Sequence, residues 1–154
     1  MKIEIRYAKL EDATRLVEIY RYYVEKTAIT FEYKVPSIEE FQQRMIHVME
    51  KYPYLVAKVD DQIVGYAYAS TFNVRVAYDW CVETSIYLDH TLRKCGVGKR
   101  LYQALEKALK TQNITNLNAC ISSPIENAHL IGDCQKVGTL KDAISQAYQI
   151  TKEI

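Results

Sequence analysis

The stretch Arg93-Lys94-Cys95-Gly96-Val97-Gly98-Lys99-Arg100 joins a run of strand character, Val82-Glu83-Thr84-Ser85-Ile86-Tyr87-Leu88, to one of helical character, and this junction constrains the chain more than any other feature. Leu101, Ala104, Leu105, Ala108 and Leu109 recur at the spacing of one helix face, which predicts a helix from Val97 to about Lys110. The chain has five glycines, and two of them stand here. A helix begins with backbone N–H groups that have no intrahelical acceptor. Glycine lets a ligand come close to that backbone, and the helix dipole together with Arg93, Lys94, Lys99 and Arg100 favours an anion such as a phosphate. Read locally, Gly96 also suits an ordinary turn, and the basic residues a solvated helix start.

Spacing excludes two familiar phosphate loops. Aligned on Gly98-Lys99, a Walker-type loop needs glycine at 93 and Ser or Thr at 100, and arginines occupy both positions. The dinucleotide fingerprint needs a third glycine where Leu101 stands. What remains, Arg-x-x-Gly-x-Gly after a strand, resembles the coenzyme A pyrophosphate loop of the GNAT superfamily of N-acetyltransferases. Ala77-Tyr78-Asp79-Trp80 followed by Glu83-Thr84-Ser85-Ile86-Tyr87 is similar in order and spacing to the phosphinothricin and methionine sulfoximine acetyltransferase subgroup. Thr27-Ala28-Ile29-Thr30-Phe31-Glu32 and Tyr52-Pro53-Tyr54-Leu55-Val56-Ala57 extend the similarity, which runs from Ile3 to about Ile121.

The resemblance implies an α/β (α+β) GNAT acyl-CoA N-acyltransferase fold, a mixed central sheet flanked by helices, with acetyl-CoA as acetyl donor. It assigns Glu83 as the catalytic base, within the Trp80-x-x-Glu83 spacing, against the ordinary reading of a surface glutamate on an alternating strand. Acetyl transfer to an amine needs a neutral nucleophile and an exit for its proton, and a carboxylate could take that proton directly or through one water. By the same resemblance the backbone at Ile86, Tyr87 and Leu88 holds the pantetheine arm. Arg93, Lys94, Cys95, Gly96, Val97, Gly98 and Lys99 wrap the pyrophosphate, chiefly through N–H groups. Cys95 has no base beside it in sequence and is not read as a nucleophile. Phe31, Arg75, Tyr78 and Trp80 are the expected acceptor lining, with Arg75 suited to a carboxylate; aromatic residues are also common core fillers, and this chain has thirteen tyrosines. Relatives of this type are often homodimers.

Composition agrees with a single domain across residues 1–154: 154 residues with 49% hydrophobic content can bury a sizeable core. Twenty basic and nineteen acidic residues leave a net charge of +1, which gives no reason to expect nucleic-acid or anionic-membrane partners. Cys81, Cys95, Cys120 and Cys134 show neither zinc-ligand nor disulfide-framework spacing, and His47, His90 and His129 no metal-ligand spacing, so no metal is expected and a reducing cytoplasm is the simplest compartment. Among the histidines His90, beside the loop, is the one to watch.

Periodicity predicts the element order β, α, α, β, β, β, α, β. Ile3, Ile5 and Tyr7 alternate as a strand. Ala13, Leu16, Val17, Tyr20, Tyr23 and Val24 form a helical stripe. Ser37-Ile38-Glu39-Glu40 reads as a capping box opening a second helix through Phe41, Met45 and Val48. Tyr54–Val59 and Ile63–Ser70 form a hairpin around Asp60-Asp61-Gln62, and Val82–Leu88, the Gly loop, the helix and Leu117–Ile121 make a β-α-β unit. From residue 121 the chain departs from the family pattern. The asparagine that relatives place on the pantetheine is either Asn127 in a shifted register or replaced by Ile125. Ala143, Ile144, Ala147 and Tyr148 recur at helical spacing where the family has strands. Three functions stay open: a transferase acting on a small amino-acid-like amine (phosphinothricin or methionine sulfoximine type) in a ternary complex, a non-catalytic acyl-CoA-binding or dimerising module, and a purely structural domain.

Overall fold

Successive side chains of a strand point to opposite faces, and Tyr54-Leu55-Val56-Ala57 is apolar on both. Such a strand belongs in the middle of a sheet covered on two sides. In the computed structural model, which describes residues 2–92 and 95–120, it is the second of five strands. The elements are β1 (Ile3–Tyr7), α1 (Ala13–Lys26), α2 (Ile38–Met49), β2 (Tyr54–Val59), β3 (Gln62–Thr71), β4 (Cys81–Leu88), α3 (Val97–Lys110) and β5 (Asn116–Asn118), with short 3-10 turns at Leu10–Asp12 and Val76–Tyr78. This is the order predicted from periodicity. The strands lie in sequence order, antiparallel from β1 to β4, and β4 pairs with β5 in parallel. All these elements belong to one unit, Met1–Cys120. The expectations for Arg93, Lys94, Asn127, Ile125, His129, Cys134, the helical pattern at 143–148 and a single domain reaching residue 154 fall outside the described residues.

One face of the sheet carries Tyr54, Val56 and Tyr66 against Leu16, Val17, Tyr20 and Val24 of α1 and Phe41 and Met45 of α2. The other carries Leu55, Ala57, Ala67, Ala69 and Val82 against Val97, Leu101, Leu105 and Leu109 of α3, a four-residue repeat down one helix side. The hairpin turn is tighter than its composition implied. Asp60 and Asp61 alone form it, both with positive φ (47° and 68°), the pair of conformations a two-residue type I′ turn requires. The capping box of α2 is half realised. The Ser37 hydroxyl accepts from the Glu40 N–H at 3.1 Å, but the Glu40 carboxylate accepts from Arg44 at 2.6 Å instead of reaching back. An arginine one turn further on offers a charged partner that a backbone N–H does not match.

Candidate active site

β4 is organised by two alternations. The Asp89 N–H donates to the Val64 carbonyl at 2.8 Å, and the register sets Leu88 against Gly65, Tyr87 against Tyr66 and Ile86 against Ala67. Bonded and non-bonded pairs alternate in an antiparallel ladder, so Tyr87, Ser85 and Glu83 give their backbone groups to β3 while Leu88, Ile86 and Thr84 turn theirs to the far edge. β5 covers that edge only along Cys81–Glu83.

The three residues expected to hold an extended ligand by their backbone therefore separate. Tyr87 is committed to the ladder with Tyr66. At Leu88 the Tyr23 hydroxyl donates to the carbonyl at 2.6 Å and accepts from the N–H at 3.2 Å. Ile86 is left, among the described residues, with an outward backbone pair beyond the end of the β4–β5 ladder.

The α3 N-terminus lies at the other end of the same segment. Gly96 is its N-cap at φ +74°, with no side-chain cap, and the first helical bond is Arg100 N–H to the Gly96 carbonyl at 3.2 Å. The N–H groups of Val97, Gly98 and Lys99 thus lack intrahelical acceptors. Open space surrounds Gly96, whose left-handed backbone disfavours any side chain. Gly98 differs, since a Cβ there would lie 3.3 Å from Leu88 Cδ1. Leu88 is wedged between two glycines, its other methyl facing Gly65. Cys95 packs against the α3-side core, consistent with a filling role. An outward amide-pairing residue, a left-handed glycine in open space and three free N–H groups at a helix start fit an extended amide chain ending in a pyrophosphate.

The second alternation concerns side chains. Glu83, Ser85 and Tyr87 share the α1/α2 face with Tyr66 and Tyr68. Glu83 is half-buried, and its carboxylate makes no hydrogen bond or ion pair among the described residues. Burial raises the Tyr68 hydroxyl above its ordinary pKa, against a lowering hydrogen bond from Ser85 and the charge of Arg44, and with the carboxylates of Glu83 and Glu32 adding to the rise. Glu32 accepts from Tyr20 at 2.9 Å and from Arg44 at 2.7 Å. The sequence does not mark Tyr20, Glu32, Arg44 or Tyr68 as site residues. The signal was ambiguous, since tyrosines on an apolar stripe read as core and an i, i+4 Glu40–Arg44 pair reads as helix surface.

The expected acceptor residues sit on two loops. Phe31 has φ +53° and is 77% exposed, a left-handed conformation uncommon for a bulky residue. Tyr78 lies tilted against Phe72 with ring centroids 5.8 Å apart, Trp80 is 57% exposed, and the exposed Arg75 keeps its loop through N–H donation to Asn73 Oδ1 at 3.1 Å. No hydrogen bond, ion pair or ring contact links Phe31 to Arg75, Tyr78 or Trp80 among the described residues. His90 stacks on Tyr22 with ring centroids 4.0 Å apart. A cleft of about 360 Å³ between the C-terminal ends of α2 and α3 is lined by none of the expected site residues. Among the described residues no group of three or more His, Cys, Asp or Glu side chains is placed to hold a metal ion, and no helix is long and apolar enough to cross a membrane.

The family model for the acetyltransferase (GNAT) domain matches residues 5–141. A phosphinothricin N-acetyltransferase of Streptomyces viridochromogenes is 32% identical over 122 residues, which cover 79% of this chain and 67% of that protein. A phosphinothricin acetyltransferase of Sinorhizobium meliloti, solved in complex with acetyl-CoA, superposes with a TM-score of 0.69 at 37% identity over 72% of this chain and 61% of that one. An N-acetyltransferase from Staphylococcus aureus gives a TM-score of 0.74 at 28% identity, over 77% and 73%.

Proposed function

The chain belongs to the GNAT family of acetyltransferases, and on that premise we propose that it moves an acetyl group from acetyl-CoA to the amine of a small amino-acid-like acceptor, of phosphinothricin or methionine sulfoximine type, by direct transfer in a ternary complex. One observation carries the reading. Among the described residues, β4 has a backbone pair at Ile86 with no strand partner on its outer edge and, three residues away on the tyrosine-lined face, the carboxylate of Glu83 with no hydrogen-bond or ion-pair partner. Acetyl-CoA, when bound, supplies the thioester as acyl donor. The Ile86 backbone holds the extended arm, and the Gly96–Lys99 amides with Arg93 and Lys94 hold the pyrophosphate.

Glu83 takes the proton that the acceptor amine must lose, directly or through one water. Phe31, Arg75, Tyr78 and Trp80 line the acceptor side, Arg75 taking the carboxylate of an amino-acid-like substrate through its planar fork. Asn127 completes the cofactor contacts. The reading includes one acetyltransferase domain across 1–154, a homodimer, and a reducing cytoplasm in which the described cysteines Cys81, Cys95 and Cys120 stay free.

The test is calorimetric titration with acetyl-CoA, followed by a free-thiol assay with methionine sulfoximine. Binding with thiol release supports transfer. Binding with no release across a panel of small amines rejects transfer in favour of a cofactor-binding module, and no binding rejects the loop assignment.

A further inference from the structure

Resting on the acetyl-CoA reading, we propose that Tyr23 is a positioning residue for the acyl donor: its hydroxyl, bonded to both backbone groups of Leu88, fixes the segment that links the Ile86 edge to the α3 N-terminus. The two halves of the donor site lie on either side of Leu88. Before it stands Ile86, with its outward backbone pair; after it come the Asp89–Leu92 turn and, from Gly96, the start of α3. An extended ligand can use both halves at once only if the peptide units between them hold one orientation.

Among the described residues no strand pairs with Leu88 on its outer side, where the β4–β5 ladder ends at Glu83. Tyr23 substitutes for the missing neighbour. One hydroxyl can donate and accept together, and here it donates to the Leu88 carbonyl at 2.6 Å and accepts from its N–H at 3.2 Å. The ring is itself held edge-on to Tyr87 (centroids 5.2 Å) and to Tyr22 (5.7 Å), so the hydroxyl sits at the tip of a braced side chain. Burial raises its pKa, against a lowering hydrogen bond from Leu88, which keeps it protonated and able to donate. A second clamp from the same helix acts one residue on, where Arg15 pairs with Asp89 at 2.5 Å and the Asp89 carboxylate accepts from the Thr91 N–H and hydroxyl. α1 therefore grips the exit of β4 at two successive residues. Preorganisation of this kind appears as affinity, because the ordering cost is met before the ligand arrives.

Glu83 lies five residues upstream, its backbone in the β3 ladder. Loss of the Tyr23 hydroxyl should therefore weaken donor binding and leave the chemical step alone. Tyr23→Phe keeps the ring and removes the bonds. The expected result is a rise of about tenfold in the acetyl-CoA Kd by calorimetry, equivalent to about 1.4 kcal/mol, with a matching rise in KM for acetyl-CoA, kcat within twofold and KM for the acceptor unchanged. Tyr66→Phe removes the one fully buried tyrosine hydroxyl that has no partner among the described residues and should leave donor affinity unchanged.

A measurement that needs no ligand accompanies these. In the free wild-type protein the Leu88 amide should be protected from hydrogen exchange, and the protection should be lost in Tyr23→Phe. A Tyr23→Phe protein that binds acetyl-CoA as tightly as wild type, or more tightly, overturns the proposal. So does a Leu88 amide that exchanges as fast as a loop amide in wild type. If wild type itself binds no acetyl-CoA, the function reading fails and this proposal falls with it, whereas equal binding by wild type and Tyr23→Phe overturns this proposal alone.

Discussion

Gly65→Ala is the most stringent test of the packing around β4. A Cβ added there would lie 2.4 Å from Leu88 Cδ2, 3.0 Å from the Tyr87 carbonyl oxygen and 3.4 Å from Leu88 Cα. Relaxed carbon–carbon contacts sit near 3.5–4.0 Å, so the leucine methyl must move by about 1 Å or more. The clash has a geometric cause: Leu88 and Gly65 form a non-bonded antiparallel pair, the kind in which facing residues approach most closely. Escape is limited on the other side, because Cδ1 already lies against Gly98, and Tyr23 holds the Leu88 backbone. Overpacking of this kind costs about 1–3 kcal/mol, offset by about 0.4–1 kcal/mol from the stiffer unfolded chain. An approach this close puts the cost toward the upper end of that range, so a net loss of about 2 kcal/mol follows, or a fall of about 4–8 °C in Tm for a chain of this length. Urea unfolding followed by circular dichroism measures it, with an unchanged m-value. In a Leu88→Ala background the same glycine substitution should cost less than about 0.5 kcal/mol, because the obstructing methyls are gone. A loss below about 0.5 kcal/mol in the native background, or an equal loss in both, would refute the wedge.

Glu83→Gln should lower kcat about 10²–10⁴-fold in the thiol-release assay with acetyl-CoA affinity unchanged; a rate within threefold of wild type removes Glu83 as base. Gly96→Ala should weaken acetyl-CoA binding and cost about 1–2 kcal/mol, because alanine resists φ +74° although nothing crowds the site; stability equal to wild type would contradict the left-handed cap. Asp12 is buried, which pushes its carboxyl up, but two 2.8 Å bonds from Arg6 and one from the Lys9 N–H outweigh this and hold it below the ordinary 3.8. A depressed folded pKa gives stability that is present above 3.8 and lost as pH falls through the lower value. Asp12→Asn should therefore cost about 1–3 kcal/mol at pH 7, and its urea midpoint should approach that of wild type as the pH drops below about 4; a gap constant with pH would rule out this linkage.

Much of the fold was legible because its elements obey single periods. The stripe through Leu101, Leu105 and Leu109, the alternation in β1 and the apolar run of β2 need no tertiary knowledge to read. The hairpin was placed correctly but one residue too wide, since two aspartates with positive φ close it and aspartate does not declare that conformation as glycine would. In the site, the Gly96 cap and the strand leading to it could be seen, because glycine spacing and apolar runs are local. The division of labour among Ile86, Tyr87 and Leu88 could not. It depends on which residues of β4 face β3 in bonded pairs, a fact of register that no window of one strand contains. Tyr23 was hidden for a related reason: on a helical stripe it counts as core, and only the fold carries its hydroxyl to a backbone 65 residues away.

The run Gly65-Tyr66-Ala67-Tyr68-Ala69-Ser70 explains why one strand can support two different surfaces. Its alternation is of size as much as polarity. Gly65, Ala67 and Ala69 face α3, where small side chains let the helix approach and let Gly98 rest against Leu88 and Ile86 of β4. The helix start, with its free N–H groups, is thereby held beside the open edge of the same strand. Tyr66 and Tyr68 face α1 and α2, stacked on each other and on Tyr54 and joined to Tyr87 and Tyr20, a thick aromatic wall on the Glu83 side. Side chains of opposite size cannot trade faces without a cavity on one side and a clash on the other. The Tyr/Ala alternation of β3 thus fixes which face of β4 meets the α3 N-terminus and which carries the carboxylate. A bulge is the device that reconciles this with the hairpin. The β2–β3 register shifts at Ala57/Lys58, so Ile63 packs on the α1 side together with Tyr66 although the two are an odd number of residues apart. Without that extra residue the turn and the tyrosine row would demand opposite phases of one strand, and Glu83 would have no fixed side.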